Sequence, residues 1–194
     1  MEITSAQIKE LRDQTGISVM QCKKALEEAG GDMTKARILL EKRRSEAAAK
    51  KSDRELGAGT VGVYVHNTNE VAAMVLLASE TDFVSKNEEF AALAREIAMH
   101  VAALDPQFIT RAEVSEEELR KAKEVFADEI KDKPAEMQEK ILEGKLNAYF
   151  KDKILLEQPF IKNPEITVGD MVAGAVQKFG ENVSVVKISR LSVK

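Results

Sequence analysis

Between Val71 and Leu77 the chain runs through VAAMVLL, an uninterrupted apolar stretch of strand length and too short for an ordinary helix. A polar connection follows, Glu80-Thr81-Asp82-Phe83-Val84-Ser85-Lys86-Asn87, and then Phe90, Leu93, Ala94, Ile97, Ala98 and Val101 recur at helical spacing. A buried strand feeding an amphipathic helix constrains the fold strongly, because the rest of the chain must supply strand partners and cover. Ser85 with Glu88 (a Ser-x-x-Glu box) or Asn87 starts the helix. Either start leaves Asp82 and Phe83 in the connection, where a buried core has no obvious claim on them. A carboxylate beside a large aromatic on such a turn is a compact probe, an apolar plug with a charge next to it. The same pattern also describes a Thr81 or Asp82 cap with Phe83 tucked beneath the helix, the commoner fate of a loop aromatic.

The strand's partners are legible on both sides. Thr60 to His66 (TVGVYVH) alternates, with Val61, Val63 and Val65 on one face, and Asn67-Thr68-Asn69 supplies a hairpin turn into the apolar run. Val183 to Leu191 closes the chain as a further strand. Between them the central helix stops at Asp105-Pro106. Ser115 with Glu118 opens another helix, stapled by Val114 and Leu119, whose stripe is Leu119, Ala122, Phe126 and Ile130. Lys131 to Pro134 breaks it, and Met137, Ile141, Leu142, Leu146, Tyr149 and Phe150 mark its return, so about 115–151 forms a helical hairpin. Ile154 to Ile161 reads as a short extended stretch broken by Pro159. Thr167 with Asp170, stapled by Ile166 and Met171, caps a last helix that Gly180 ends.

Residues 4–50 predict three short helices. Thr4 with Gln7, Ser18 with Gln21, and Asp32 are their caps, and Gly16 and Gly30-Gly31 their stops. Ile8 and Leu11, then Val19, Cys22, Ala25, Leu26 and Ala29, then Met33, Ala36, Leu39 and Leu40 are the inward stripes, a plan similar to the ubiquitin-associated three-helix fold. Cys22 on that face is a packed thiol. The segment from Arg43 extends the third helix, and beyond Ser52 becomes a linker. The predicted organisation is therefore α+β: residues 1–54 as a three-helix domain with a basic linker, and residues 55–194 as a small antiparallel sheet with covering helices and a helical hairpin.

Charge and chemistry exclude several functions. The net charge is −4, with +3 on residues 1–54 and −7 on the remainder; with no Trp and 5% aromatics, extended nucleic-acid binding is not expected. No segment is apolar enough for a membrane span, the N-terminus lacks a signal layout, and the single cysteine suits a reducing compartment, so a cytoplasmic protein is expected. His66 and His100 have no Cys or His at metal spacing, and no phosphate loop, dinucleotide fingerprint or nucleophile elbow occurs, so neither an enzyme nor a resident cofactor or metal is expected. His100, beside the central stripe, reads as a hydrogen-bonded structural histidine.

The run ETDFVSKNEEF (Glu80 to Phe90) resembles the signature of bacterial translation elongation factor Ts, the nucleotide-exchange factor for elongation factor Tu. Leu11-Arg12-Asp13-Gln14-Thr15-Gly16, then Met20 and Cys22-Lys23-Lys24-Ala25-Leu26, match the same family independently. So do IAMHVAA (Ile97 to Ala103), LLEQPFIK (Leu155 to Lys162) and GENV (Gly180 to Val183), in the family's order. The resemblance implies elongation factor Tu as partner and release of its GDP without covalent chemistry. It implies Phe83 as a wedge near the partner's magnesium and phosphate site, Asp82 as its polar neighbour, and Thr81 and Val84 as residues shaping the loop. The three-helix domain would grip the same GTPase domain through Arg12, Met20 and Lys23, with Val19 where many members carry Met. Lys51, Val71, Ala72 and His100 also match contact positions; Ala72 stands where the family usually has glycine, and Gln21 and Ser79 depart as well.

Longer relatives carry a second sheet-containing subdomain. Its absence here implies a homodimer, paired through the 115–151 hairpin or an open edge of the sheet. The competing expectation is a helical docking or oligomerisation module without exchange activity.

Overall fold

The computed structural model describes residues 3–131 and 134–193. In chain order these form α1 (Ser5–Thr15), α2 (Val19–Glu28), α3 (Met33–Ala49), β1 (Ala58–Val65), β2 (Val71–Ser79), α4 (Asp82–Ser85) and α5 (Glu88–Leu104). Then come α6 (Glu116–Glu129), α7 (Ala135–Lys151), β3 (Pro159–Phe160), β4 (Asn163–Thr167), α8 (Val168–Phe179) and β5 (Val183–Ser192). Helices and a small antiparallel sheet make this an α+β chain. Two compact units are distinguishable. One comprises Met1–Gly59, Ala78–Phe90 and Asp170–Ser184; the other comprises Thr60–Leu77, Ala91–Gly169 and Val185–Lys194.

In the first unit the caps are those the sequence marks. The Thr4 hydroxyl accepts from the Gln7 N–H (3.3 Å) while the Gln7 side-chain oxygen accepts from the Thr4 N–H (3.0 Å). Ser18 and Asp32 accept from the N–H groups of Gln21 and Lys35. Gly16 ends α1 in the left-handed region (φ 68°), which a residue with a Cβ adopts only at a cost. Leu11, Ile17, Cys22, Ala25, Leu26, Ala36 and Leu40 form the core of the three helices, each buried leucine contributing about 1.5–3 kcal/mol. The Cys22 thiol lies 3.5 Å from the Ile17 carbonyl and burial pushes its pKa up, which leaves it an inert packing group. Val19 departs from its predicted stripe: as the first residue of α2 it lies beyond the end of the packed interface and is 52% exposed. Arg44, buried late on α3, donates to the carbonyls of Thr15 and Asp170, both at 3.3 Å.

The second unit holds most of the three-stranded sheet, ordered β1-β2-β5. The His66 N–H donates to the Val71 carbonyl (2.9 Å) across the hairpin turn, and Asn69 takes a positive φ there. The Val193 N–H donates to the Glu70 carbonyl (3.1 Å), which sets the end of β5 beside the start of β2. Ala73, Val75 and Leu77 on β2 and Ala94, Ile97, Ala98 and Val101 on α5 are buried. Gly62 permits the close approach of β1 to α5: a Cβ built on it would fall 2.6 Å from the Arg95 backbone nitrogen and nearer still to the Ala94 carbonyl. Val61, Val63 and Val65 do share a face, but it is the uncovered one, with exposed Met74.

The hairpin is present. Ser115 and Glu118 form their reciprocal box, and Ala122, Leu146, Phe150 and Ile154 make its core, with Phe108, Leu119 and Phe126 packed against it. Met137 leaves its predicted stripe and is exposed. Of the Lys131–Pro134 break, Asp132 and Lys133 lie outside the described residues. The stretch read as simply extended contains a 3-10 turn, Leu155–Glu157, and then β3, which pairs antiparallel with β4. Among the described residues no helix is long and apolar enough to cross a membrane.

Candidate functional site

The connection after β2 is a single helical turn rather than an irregular loop. Thr81 precedes it in extended conformation, and the N–H groups of Ser85, Lys86 and Asn87 donate to the carbonyls of Thr81, Asp82 and Val84. Of the two predicted starts for α5, the Asn87 one is realised: its side-chain oxygen accepts from the Glu89 N–H (2.9 Å). Ser85 instead belongs to α4, its hydroxyl 3.2 Å from the Asp82 carbonyl.

Helical geometry separates neighbouring side chains by about 100°. Val84 is buried (4% exposed), so the turn carries Phe83 outward, where it is 84% exposed. The phenyl ring is therefore not an anchor for its own loop. Asp82 beside it is also exposed, and Lys86 one turn on reaches its carboxylate at 2.6 Å. That bond and charge, followed by the N–H groups of Asp82 and Phe83, hold the Asp82 carboxyl below the usual range. The result is an apolar ring with a fixed anion at its side. Lys86 was missed from the sequence, although its i,i+4 spacing from Asp82 is a readable signal.

On the three-helix cluster Arg12 is exposed on α1, and Val19, Met20 and Lys23 are exposed on the first turns of α2, with Met20 81% exposed. Spacings of three and four place all three α2 residues on neighbouring parts of one surface. Lys51 follows α3, half-buried, and its charge acts on Glu80. These residues and Thr81–Val84 all belong to the first compact unit, whereas Val71, Ala72 and His100 belong to the second.

Val71 and Ala72 are half-buried at the start of β2. His100 is wholly buried. Its Nδ1 accepts from the Ile161 N–H (3.3 Å), so Nε2 carries the proton and donates to Gln158 Oε1 (2.8 Å). Gln158 in turn donates to the Asp152 carbonyl (2.6 Å). Burial holds the imidazole pKa below its ordinary 6.5, because the cation would lose hydration. The unfolded chain then binds this proton more readily than the fold. Its contribution is present above pH about 6.5 and is lost as pH falls towards the lower folded value. The melting temperature should accordingly drop between pH 7.5 and 5.5, with a shallower drop in His100→Asn; an equal slope in both proteins would remove His100 as the cause.

Among the described residues no group of three or more His, Cys, Asp or Glu is arranged to hold a metal ion. What the first unit offers is a protruding aromatic with an anion beside it and a second exposed patch on α1 and α2.

A protein-family model described as Elongation factor TS matches residues 41–194. The chain is similar to Elongation factor Ts of Thermosipho melanesiensis, 46% identical over 193 residues, covering 98% of both chains. It is 45% identical over 194 residues to Elongation factor Ts of Thermodesulfovibrio yellowstonii, covering 100% of this chain and 97% of that one. With that of Carboxydothermus hydrogenoformans it shares 44% identity over 193 residues, covering 98% of this chain and 89% of the relative. Likeness of this depth along the whole chain means that it belongs to the elongation factor Ts family, whose role lies in translation elongation.

Proposed function

We propose that this chain binds elongation factor Tu in its GDP form and drives GDP out by pressing Phe83 into the GTPase near its magnesium and phosphates. The observation that carries this reading is the exposure of Phe83 at the tip of a one-turn helix that Val84 anchors. An apolar ring left in water is a cost that burial in a partner reverses, by about 1.5–3 kcal/mol. The Asp82 carboxylate beside it would bring an anion towards the partner's Mg²⁺ and so weaken the hold on the nucleotide phosphates. A surface that favours the nucleotide-free GTPase must weaken nucleotide binding by the same factor. No covalent step is involved, so the chain is an exchange factor in protein biosynthesis and not an enzyme.

Docking rests on residues 1–54, a ubiquitin-associated-like domain, through Arg12, Val19, Met20 and Lys23, with Lys51 just after α3. Val71 and Ala72 add lesser contacts. His100 acts indirectly in this scheme, by fixing the backbone at Ile161. The site of action is the cytoplasm, and no direct contact with nucleic acid is required. Release of labelled GDP from elongation factor Tu tests the reading: acceleration by catalytic amounts of the chain is expected. Tight binding without acceleration would leave only a docking module.

The uncovered sheet face, Val61, Val63, Val65 and Met74, favours pairing of two copies. Sedimentation should give twice the monomer mass at micromolar concentration, and Val63→Glu should halve it. A wild-type chain that sediments as a monomer would refute the dimer.

A further inference from the structure

We propose that Glu181 and Asn182 form a clamp that fixes the direction of Phe83, making Glu181 a positioning residue for exchange. The proposal rests on the wedge reading of Phe83 and adds to it a control element contributed by a distant part of the chain.

Thr81 introduces α4, yet its side chain makes no capping bond to that helix. Its hydroxyl donates instead to Glu181 Oε1 (2.6 Å), and its N–H donates to Glu181 Oε2 (3.0 Å). The carbonyl of Thr81 accepts from the hydroxyl of fully buried Ser79 (2.9 Å). The N–H and hydroxyl of the residue preceding the turn are thus held from outside the turn, and its carbonyl is shared between Ser79 and the Ser85 N–H of the turn itself.

The arrangement is reciprocal. As the Glu181 carboxylate takes the N–H of Thr81, the Glu80 carboxylate takes the N–H of Asn182 (2.5 Å). Glu80 Oε1 also accepts from Arg54 Nη1 (3.3 Å). Asn182, 4% exposed, donates its side-chain amide to the carbonyls of Ser52 (3.3 Å) and Arg54 (2.8 Å). Gly180, in the left-handed region (φ 74°), ends α8 and turns the chain into this pair. Two adjacent Glu-x pairs, 80–81 and 181–182, therefore cross-link each other's backbone and tie both to the segment after α3.

Phe83 itself touches little, being 84% exposed, so the path of the backbone at Thr81 decides where its ring points. A wedge loses effect when it swings, because the ordering must then be supplied at the moment of binding. Removing the clamp should leave docking through α1 and α2 intact and lower the effectiveness of insertion.

The chain contains no tryptophan, so Phe83→Trp introduces a single emitter at the tip. Adding Glu181→Ala to it should lower the fluorescence anisotropy. In the Phe83 background, Glu181→Ala should reduce the maximal rate of GDP release from elongation factor Tu about tenfold. The concentration for half-maximal effect should stay within about twofold, because the docking surface is untouched. Thr81→Val should reproduce the loss and add nothing to Glu181→Ala, whereas Thr81→Ser should restore the rate. Unchanged anisotropy when Glu181→Ala is added to Phe83→Trp would overturn the clamp. A loosened probe with a full exchange rate, in a protein whose Phe83→Ala form is inactive, would overturn the positioning role while leaving the wedge standing. Full exchange by Phe83→Ala itself, with Glu181 intact, would instead remove the wedge reading and this role with it. If Glu181→Ala fails to fold, Thr81→Val and Thr81→Ser carry the same readouts.

Discussion

Phe83→Ala should slow stimulated GDP release by about ten- to a hundred-fold, the loss of burying one phenyl ring in the partner. The melting temperature should scarcely move. A buried phenylalanine would cost about 3–5 kcal/mol on truncation, but this ring is 84% exposed in the free chain. The two readouts therefore separate sharply. Asp82→Asn keeps the shape while removing the charge and the Lys86 pair. Its exchange rate isolates the electrostatic contribution near the partner's magnesium. A Phe83→Ala protein that melts many degrees lower, yet exchanges normally once folded, would sink the wedge and make the ring a structural anchor.

The largest loss of stability is expected from Gly62→Ala. The added methyl meets backbone, at 2.6 Å from the Arg95 nitrogen, and backbone has no rotamer through which to yield. Overpacking of this kind costs about 3 kcal/mol, and in a chain of this size should lower the melting temperature by about 6–12 °C. Gly144→Ala is the matched control. That glycine lies inside α7 with nothing within 4 Å of the new methyl, so the change should stabilise by about 0.5–1 kcal/mol. A Gly62→Ala protein as stable as wild type would mean that β1 is not seated against α5.

Much of this fold was readable because it is written locally. Thr4 with Gln7 and Ser115 with Glu118 announce helix starts within four residues, and the stripes from Leu11 to Leu40 follow a single period. The 3-10 turn and the β3–β4 ribbon were not readable. β3 has two residues and each strand contains a proline, so no alternation builds up. Alternation also fails to say which face is covered. Val61, Val63 and Val65 look like a core stripe, and only the approach of α5 to Gly62 reveals that they are the outer one. At the site, the sequence placed Asp82 and Phe83 on a turn but gave no means of pairing Thr81 with Glu181. Those residues lie 100 positions apart, and polar pairs at that distance leave no periodic trace.

That separation also sets a timetable. The core of the three helices draws all its buried members from Leu11 to Leu40, so it can close as soon as those residues leave the ribosome. The tip cannot be fixed so early, since Asn182 reaches back 130 positions to Ser52 and Glu181 reaches back 100 to Thr81. A growing chain therefore closes its three-helix core long before the bonds that hold Thr81 can form. If the proposed docking and wedge roles hold, a chain released short of Glu181 would occupy the GTPase without emptying it.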